Sequence, residues 1–196
     1  MAVGIVPLVA SDEALLERAA AGEREALEEL FGRYRLLAYR VAHRLLGNEA
    51  DALDAVQEAF VKALVHLPSF QGRSSFKTWM LRVVSNASLD LGRQRGRREA
   101  LSIDAAGAKF REECEPVIES DPGRELDRHD LRRKVYEALA QLPEAQRQTF
   151  VLHAEAELSY REVAEVLGIS IGTVMSRLYY ARQRLRVLLE PSVKPQ

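Results

Sequence analysis

One cysteine, Cys114, is too few for an internal disulfide, and no second thiol is available to complete a zinc quartet with the four histidines. A reducing, cytoplasmic setting is therefore expected. No apolar run approaches the ~20 residues of a membrane span. The opening Met1 to Ala10 lacks a basic flank and meets Ser11-Asp12-Glu13 before a signal-peptide core can form, so it is expected to be a loose tail of a soluble protein. His43, His66, His129 and His153 show no ligand spacing, and neither an HExxH pattern nor a glycine-rich phosphate loop occurs. An all-α hydrolase or metal enzyme has no nucleophile–base pair to work with here, and no cofactor is expected.

Net charge is also scarce. Twenty-eight Lys and Arg against 29 Asp and Glu leave −1 over 196 residues. That average conceals a pattern. Ser11 to His66 holds 11 acids and 7 bases, whereas Leu67 to Arg98 holds a single acid, Asp90, against seven bases. From Glu99 to Asp130 ten acids meet four bases, with Gly107, Pro116, Pro122 and Gly123 interrupting any long helix. Between Ser170 and Leu189, Arg177, Arg182, Arg184 and Arg186 meet no acid at all. Two basic surfaces thus flank an acidic connector. A solvated helix face is the commoner fate of such runs, but an ordinary surface helix interleaves both signs for i,i+4 pairing, and these do not.

What is abundant is three- and four-residue apolar periodicity, which predicts an all-α chain without strands. Ser11 is placed to cap a short first helix ending near Gly22. A long helix from about Glu23 to Leu46 carries Leu27, Leu30, Phe31, Tyr34, Leu37, Ala38, Val41 and Leu45 on one stripe, stopped by Gly47-Asn48. The next spans about Glu49 to Leu67 with Ala52, Val56, Phe60, Ala63 and Leu64 inward. Phe76 to about Arg95 follows, burying Trp79, Met80, Val83, Val84, Ala87 and Leu91. These four helices can close a core by themselves. Beyond the connector, one helix runs from about Arg124 to Gln141 with Leu131, Val135, Ala138 and Leu139 inward. Pro143 restarts the chain through about Glu155, and two shorter elements, Ser159 to Leu167 and Ser170 to about Leu189, complete a second small domain.

The last two elements have helix-turn-helix logic. Ser159 and Glu162 form a capping-box spacing, Ala164 is small where two helices cross, and Gly168 permits a left-handed reversal. Ile169, Val174, Leu178 and Leu185 anchor the second helix, with Ser170 as its cap. Thr173, Met175, Ser176, Arg177, Tyr179, Tyr180 and Arg182 are left facing outward, with the donors, methyl groups and charges that a major groove accepts. The alternative is a helical hairpin that merely packs; caps, glycine, small residue and basic outer face together favour DNA reading.

Two signatures carry a family resemblance. The first is Asp51-Ala-Leu-Asp54-Ala-Val-Gln57-Glu58-Ala-Phe60, followed by Phe76-Lys77-Thr78-Trp79 and Arg82-Val-Val-Ser-Asn86. The second is Leu142-Pro143-Glu-Ala-Gln-Arg147, Ser159-Tyr160-Arg-Glu162 and Gly172-Thr173-Val174-Met175-Ser176-Arg177-Leu178 with Ala181-Arg182. In this order and spacing the chain resembles bacterial RNA polymerase sigma factors of the extracytoplasmic-function group. The likeness covers residues 11–98, matching sigma region 2, and 126–191, matching sigma region 4. It leaves a tail at 1–10, a linker at 99–125 and a tail at 192–196.

The resemblance implies a non-catalytic specificity subunit that binds core RNA polymerase through the β′ clamp and β flap, recognises promoter DNA and helps open it. It implies polymerase contacts from Asp51, Asp54, Gln57 and Glu58, with Phe60 in the core; an exposed amphipathic helix without a partner is the alternative. It implies that Arg73, Lys77, Arg82, Asn86 and Arg93 meet the minus-10 element as single strand, Asn86 near a flipped base. Trp79, spaced helically with Phe76 and Val83, reads as core rather than as a stacking platform. Arg95, Arg97 and Arg98 are open to two readings, phosphate contacts or a solvated helix end. The acidic linker is implied to thread the polymerase channels. The helix bearing Thr173 to Arg182 is implied to read the minus-35 element, although Met175 and Tyr180 stand where many members place Lys or Arg. An anti-sigma protein is the implied inhibitor. The competing function is a stand-alone helix-turn-helix regulator, for which the second domain alone would suffice.

Overall fold

The computed structural model describes residues 10–102, 131 and 133–189, and among these no strand occurs. The N-terminal tail, the acidic connector with Cys114, the first part of the helix expected from Arg124 and the C-terminal tail lie outside the described residues.

The N-terminal module starts where the Ser11 hydroxyl accepts the Ala14 amide at 3.2 Å, opening α1 (Asp12–Ala20) with Asp12 and Glu13 at the positive end of its dipole. Helix α2 (Arg24–Leu46) buries Ala26, Leu30, Phe31, Ala38, Val41, Ala42 and Leu45, and ends at Gly47 in the left-handed conformation, φ 78°. Asn48 then caps α3 (Glu49–His66) by accepting the Asp51 amide at 2.8 Å. A single 3-10 turn, Leu67–Ser69, carries Pro68 and closes α3 off. Ser75 accepts the Thr78 amide at 3.1 Å just before α4 (Phe76–Ser102). This helix runs past the Arg95 end read from the sequence. Gly92 and Gly96 lie in its interior, and a side chain at Gly92 would come within 3.4 Å of Leu46 on α2. Both glycines cost helix propensity, which the packing of α4 overrides.

The C-terminal module comprises α5 (133–140), α6 (Glu144–Ala154), α7 (Tyr160–Leu167) and α8 (Ile171–Leu189). At α7 the capping box is complete: the Ser159 hydroxyl accepts the Glu162 amide at 3.3 Å, while Glu162 Oε2 accepts the Ser159 amide at 2.8 Å. Gly168, φ 65°, makes the reversal into α8. Val163, Ala164 and Val166 on α7 meet Val174 and Leu178 on α8 in the interior.

Trp79 packs in an aromatic cluster with Phe70 and Phe76, ring centroids 5.3 and 5.6 Å away, as its helical spacing predicts. Two inward assignments are corrected. Leu64 is 47% exposed and Leu131 56% exposed. On α3, Ala52, Val56 and Ala63 are buried as expected, joined by Ala55 and Ala59, small side chains that bring α3 close to its neighbours and leave Leu64 outward. The two expected helical modules are present and, in addition, pack on one another. Val151, Leu152, Ala156, Leu158, Val163, Val166, Val174 and Leu178 belong to the same contiguous apolar cluster as Leu30, Val41, Met80 and Val84. Only Ala138, Leu139, Leu142, Ala181 and Leu185 form a separate, smaller cluster. The expected second domain shares the first one's core.

Candidate nucleic-acid interface

Helix α8 presents the first surface. Ser170 caps it, accepting the Thr173 amide at 3.1 Å and sharing a hydrogen bond with the Thr173 hydroxyl at 2.9 Å. Ser176 donates to the Thr173 carbonyl at 3.0 Å. Both hydroxyls therefore keep a local partner and retain lone pairs for an incoming donor. Met175, Ser176, Tyr179, Tyr180 and Arg182 are exposed, while Thr173 and Arg177 are half-buried. Tyr160 of α7 joins Met175, Tyr179, Arg182, Gln183 and Arg186 around a shallow cleft of about 390 Å³. Among the described residues, Arg177, Arg182, Arg184 and Arg186 have no carboxylate within ion-pair distance. A cationic, aromatic helix face with unspent charge is suited to a polyanionic groove.

The second surface is α4, and its cations have partners. Arg73 is exposed in the loop ahead of the helix. Lys77 is half-buried and close enough to Glu162 to help draw that carboxyl below the usual range. The main causes of the Glu162 shift are the Ser159 hydroxyl and amide donors. Arg82 Nε donates to the Val166 carbonyl at 3.1 Å, and Arg82 Nη2 donates to the Glu165 carbonyl. Arg93 pairs with Asp90 at 2.9 Å on its own helix and with Glu144 of α6 at 3.3 Å. Asn86 is exposed and, with Arg82, Leu89 and Arg93, forms one wall of a cleft of about 460 Å³. The other wall is Glu144, Gln148, Val166, Leu167 and Gly168 of the C-terminal module. Arg95, one of the residues with two readings, donates to Asp51 at 2.7 Å.

Helix α3 presents a third surface of different character. Asp51 is half-buried and accepts from Asn48 Nδ2 at 2.6 Å as well as from Arg95, which ties the start of α3 to α4. Asp54, Gln57 and Glu58 are exposed, Glu58 pairing with Lys62 at 2.6 Å. Beside them lie residues missed by the sequence reading: Leu53, Val61 and Val65 are 52%, 57% and 69% exposed, in line with Leu64. Positions 53, 57, 61 and 65 repeat every four residues and share a face. The helix is apolar on two faces: the alanines with Val56 and Phe60 meet the core, Phe60 edge-on to Phe31 at 5.1 Å, while Leu53, Val61, Leu64 and Val65 face solvent. The signal was the alanine stripe itself, which marks the inward face.

The two modules are fastened by polar contacts around the shared core. Glu155 at the end of α6 pairs with Arg40 at 3.1 Å and Arg44 at 3.2 Å on α2. Gln148 donates to the Ser85 hydroxyl at 3.3 Å in a buried setting. Tyr136 of α5 lies 2.6 Å from His43 Nδ1, with the Arg44 guanidinium 4.5 Å from its ring centroid.

Fold and surfaces together define an all-α protein with a helix-turn-helix, a second basic helix and a partner-seeking apolar face. The chain matches Sigma-70 region 2 over residues 30–98 and Sigma-70 region 4 over residues 132–185. It is 33% identical over 186 residues to the RNA polymerase sigma-H factor of Pseudomonas aeruginosa, covering 93% of this chain and 96% of that one. It is likewise 33% identical over 186 residues to the ECF RNA polymerase sigma-E factor of Escherichia coli, covering 94% and 97%. Among solved structures, CnrH in complex with the cytosolic domain of CnrY superposes with a TM-score of 0.70 at 28% identity, over 93% of this chain and 99% of that one. The sigma factor RpoE of Bartonella quintana, bound to the anti-sigma factor NepR, gives 0.65 at 26% identity, over 83% and 98%. The chain belongs to the sigma-70 family, in its extracytoplasmic-function group. Among the described residues, no helix is long and apolar enough to cross a membrane.

Proposed function

We propose that the chain is an alternative sigma subunit that docks on core RNA polymerase and directs it to promoters, taking no part itself in bond chemistry. The observation that carries this reading is the outward apolar face of α3. An apolar stripe of Leu53, Val61, Leu64 and Val65 edged by Asp54, Gln57 and Glu58 is costly in water and suits a protein partner with an apolar core and a polar rim. In the family this helix faces the β′ clamp, and region 4 faces the β flap. A free-standing DNA-binding regulator needs α8 but has no use for such a face.

In this reading α8 supplies the minus-35 contacts. Met175, Tyr179 and Tyr180 offer apolar and aromatic surface to thymine methyls and sugars, and Arg177 and Arg182 offer charge to phosphates or guanine edges. On α4, Lys77, Arg82 and Arg93, with Arg73 ahead of the helix, supply cations along a single strand, with Asn86 beside an extruded base at the minus-10 element. An anti-sigma protein covering these surfaces fits the same reading, since RpoE was solved with the anti-sigma factor NepR and CnrH with the cytosolic domain of CnrY.

The test is binding of the purified chain to bacterial core RNA polymerase, followed by run-off transcription from a promoter library. Tight association with selective new transcripts is expected. DNA binding without polymerase association would replace the proposal with the stand-alone regulator.

A further inference from the structure

Helix α8 carries its outward side chains in two rows. One is Ser176, Tyr180 and Arg184; the other, Met175, Tyr179, Arg182 and Arg186, borders the shallow cleft that Tyr160 closes from α7. The walls of that cleft are apolar and its rim is not. Tyr160, Met175 and Tyr179 supply two rings and a thioether, whereas Arg182, Gln183 and Arg186 supply donors. Both tyrosine walls are braced. The Tyr160 ring meets the His153 ring edge-on at 5.0 Å, and His153 Nδ1 lies 2.8 Å from the Leu158 carbonyl, while the Tyr179 ring meets that of Tyr180 at 5.4 Å. Met175 and Tyr179 are each more than half exposed, so the apolar surface is open to a ligand. Among the described residues, Arg182 and Arg186 at the rim have no carboxylate within ion-pair distance. An apolar slot edged by unpaired cations matches one feature of duplex DNA, a C5-methyl group set beside phosphates in the major groove.

We propose that this cleft is a methyl pocket: it takes the C5-methyl group of a pyrimidine, with Tyr160 of α7 as a specificity-determining residue alongside Met175 and Tyr179. The proposal rests on the minus-35 assignment of α8 made above. The walls cannot read a guanine edge instead. A thioether donates nothing and a phenol carries one O–H, whereas guanine presents two acceptors, N7 and O6, to a forked donor. Thymine is the occupant favoured over 5-methylcytosine. Beside the shared methyl, thymine shows the O4 acceptor and cytosine the N4 amine, while Arg182 and Arg186 can only donate. Met175 and Tyr179 lie one helical turn apart, about 6 Å along the axis, which is about two base steps. The pocket therefore spans neighbouring pyrimidines. Tyr160 is the first residue of α7, the helix that crosses the backbone in helix-turn-helix docking, so its ring closes the pocket on the side of the sugar-phosphate chain.

The experiment uses the full chain reconstituted with bacterial core RNA polymerase, and the upstream elements that this holoenzyme enriches from a promoter library. Each thymine on either strand of the enriched element is replaced in turn by deoxyuridine, which removes the methyl and keeps every hydrogen-bonding group. Affinity is read by competition. A loss of about fourfold per methyl is expected at thymines about two base steps apart, and none elsewhere. Tyr160→Ala and Met175→Ala should bind thymine and uracil duplexes alike, and Tyr160→Phe should keep the penalty. Arg184→Ala, outside the cleft, should weaken binding to both duplexes equally. Cytosine at a sensitive position should weaken binding, and 5-methylcytosine should recover about fourfold without reaching thymine. A holoenzyme indifferent to every deoxyuridine would overturn the methyl pocket while leaving the minus-35 reading intact. So would a penalty that survives in both alanine variants. Tighter binding of 5-methylcytosine than of thymine would overturn the choice of thymine. A holoenzyme that enriches no upstream element would overturn the minus-35 reading, and the pocket with it.

Discussion

Helices α4 and α8 are both long, basic and poor in acids, yet their charges meet opposite fates. On α8, Arg182, Arg184 and Arg186 are exposed and Arg177 half-buried, and among the described residues none has a carboxylate within ion-pair distance. On α4, Arg82, Arg93 and Arg95 are held by carbonyls and carboxylates that come largely from other elements. Charge content is the same kind of information in both sequences. Availability is decided by what the tertiary structure brings opposite, so the same charge content leaves one basic helix open and the other partly occupied. Parting the modules would re-expose the shared apolar core at about 25 cal/mol per Å².

The largest expected effect tests whether the modules are one cooperative unit. Leu152 on α6 is fully buried in the shared cluster, and Leu152→Ala should cost about 2–5 kcal/mol. The sole tryptophan, Trp79, sits in the N-terminal module. If the core is continuous, urea unfolding followed by Trp79 fluorescence shifts together with far-UV circular dichroism; a Trp79 transition that does not move would split the molecule into independent halves. A smaller effect sharpens the contrast between the basic helices. Arg177→Ala or Arg182→Ala should weaken duplex DNA binding by about 1–3 kcal/mol if the side chain reads a base, or lower the slope of log affinity against log salt by about 1 if it meets a phosphate. Neither should change thermal stability by more than about 0.5 kcal/mol.

The smallest concerns the cap that aims α7 at α4. Ser159→Ala should cost about 1 kcal/mol at neutral pH. Glu162 is held below the ordinary carboxylate range chiefly by the Ser159 hydroxyl, then by the Ser159 amide. A folded-state value below the unfolded one adds stability above the unfolded pKa, and this is lost as pH falls through the folded value. The difference between wild type and Ser159→Ala, measured by denaturant titration, should therefore narrow as Glu162 is protonated in acid. A difference that stays constant down to that range would assign the cost to the serine's own hydrogen bond alone.

How much of this was legible in advance depended on the range of the interaction. Caps and stops within four residues were readable, which is why Ser11, Gly47, the Ser159–Glu162 box and Gly168 stand where the sequence places them. The end of α4 was less so, since Gly92 and Gly96 look like breakers, yet both lie inside the helix. Leu64 was misplaced because a helix with apolar residues on two faces offers no rule for choosing the inward one; close packing of alanines made the choice. The contacts between modules had no sequence signature. Arg82 meets carbonyls more than 80 positions away, and a backbone oxygen carries no residue identity from which to predict the encounter. Most of the outward residues of α8 were readable because helical periodicity turns Met175, Ser176, Tyr179, Tyr180 and Arg182 away from the buried Val174, Leu178, Ala181 and Leu185.

The single cluster running from Leu30 through Met80 to Val163 also bears on how the chain responds to company. When the halves part, each is left with an uncovered apolar flank, and the opened molecule becomes a receptor in search of an occupant. Whatever fills those flanks contributes binding energy to the opening itself, so occupancy and shape are linked in one equilibrium. A ligand that prefers the parted halves and one that prefers them joined are then mutual antagonists even if they never touch.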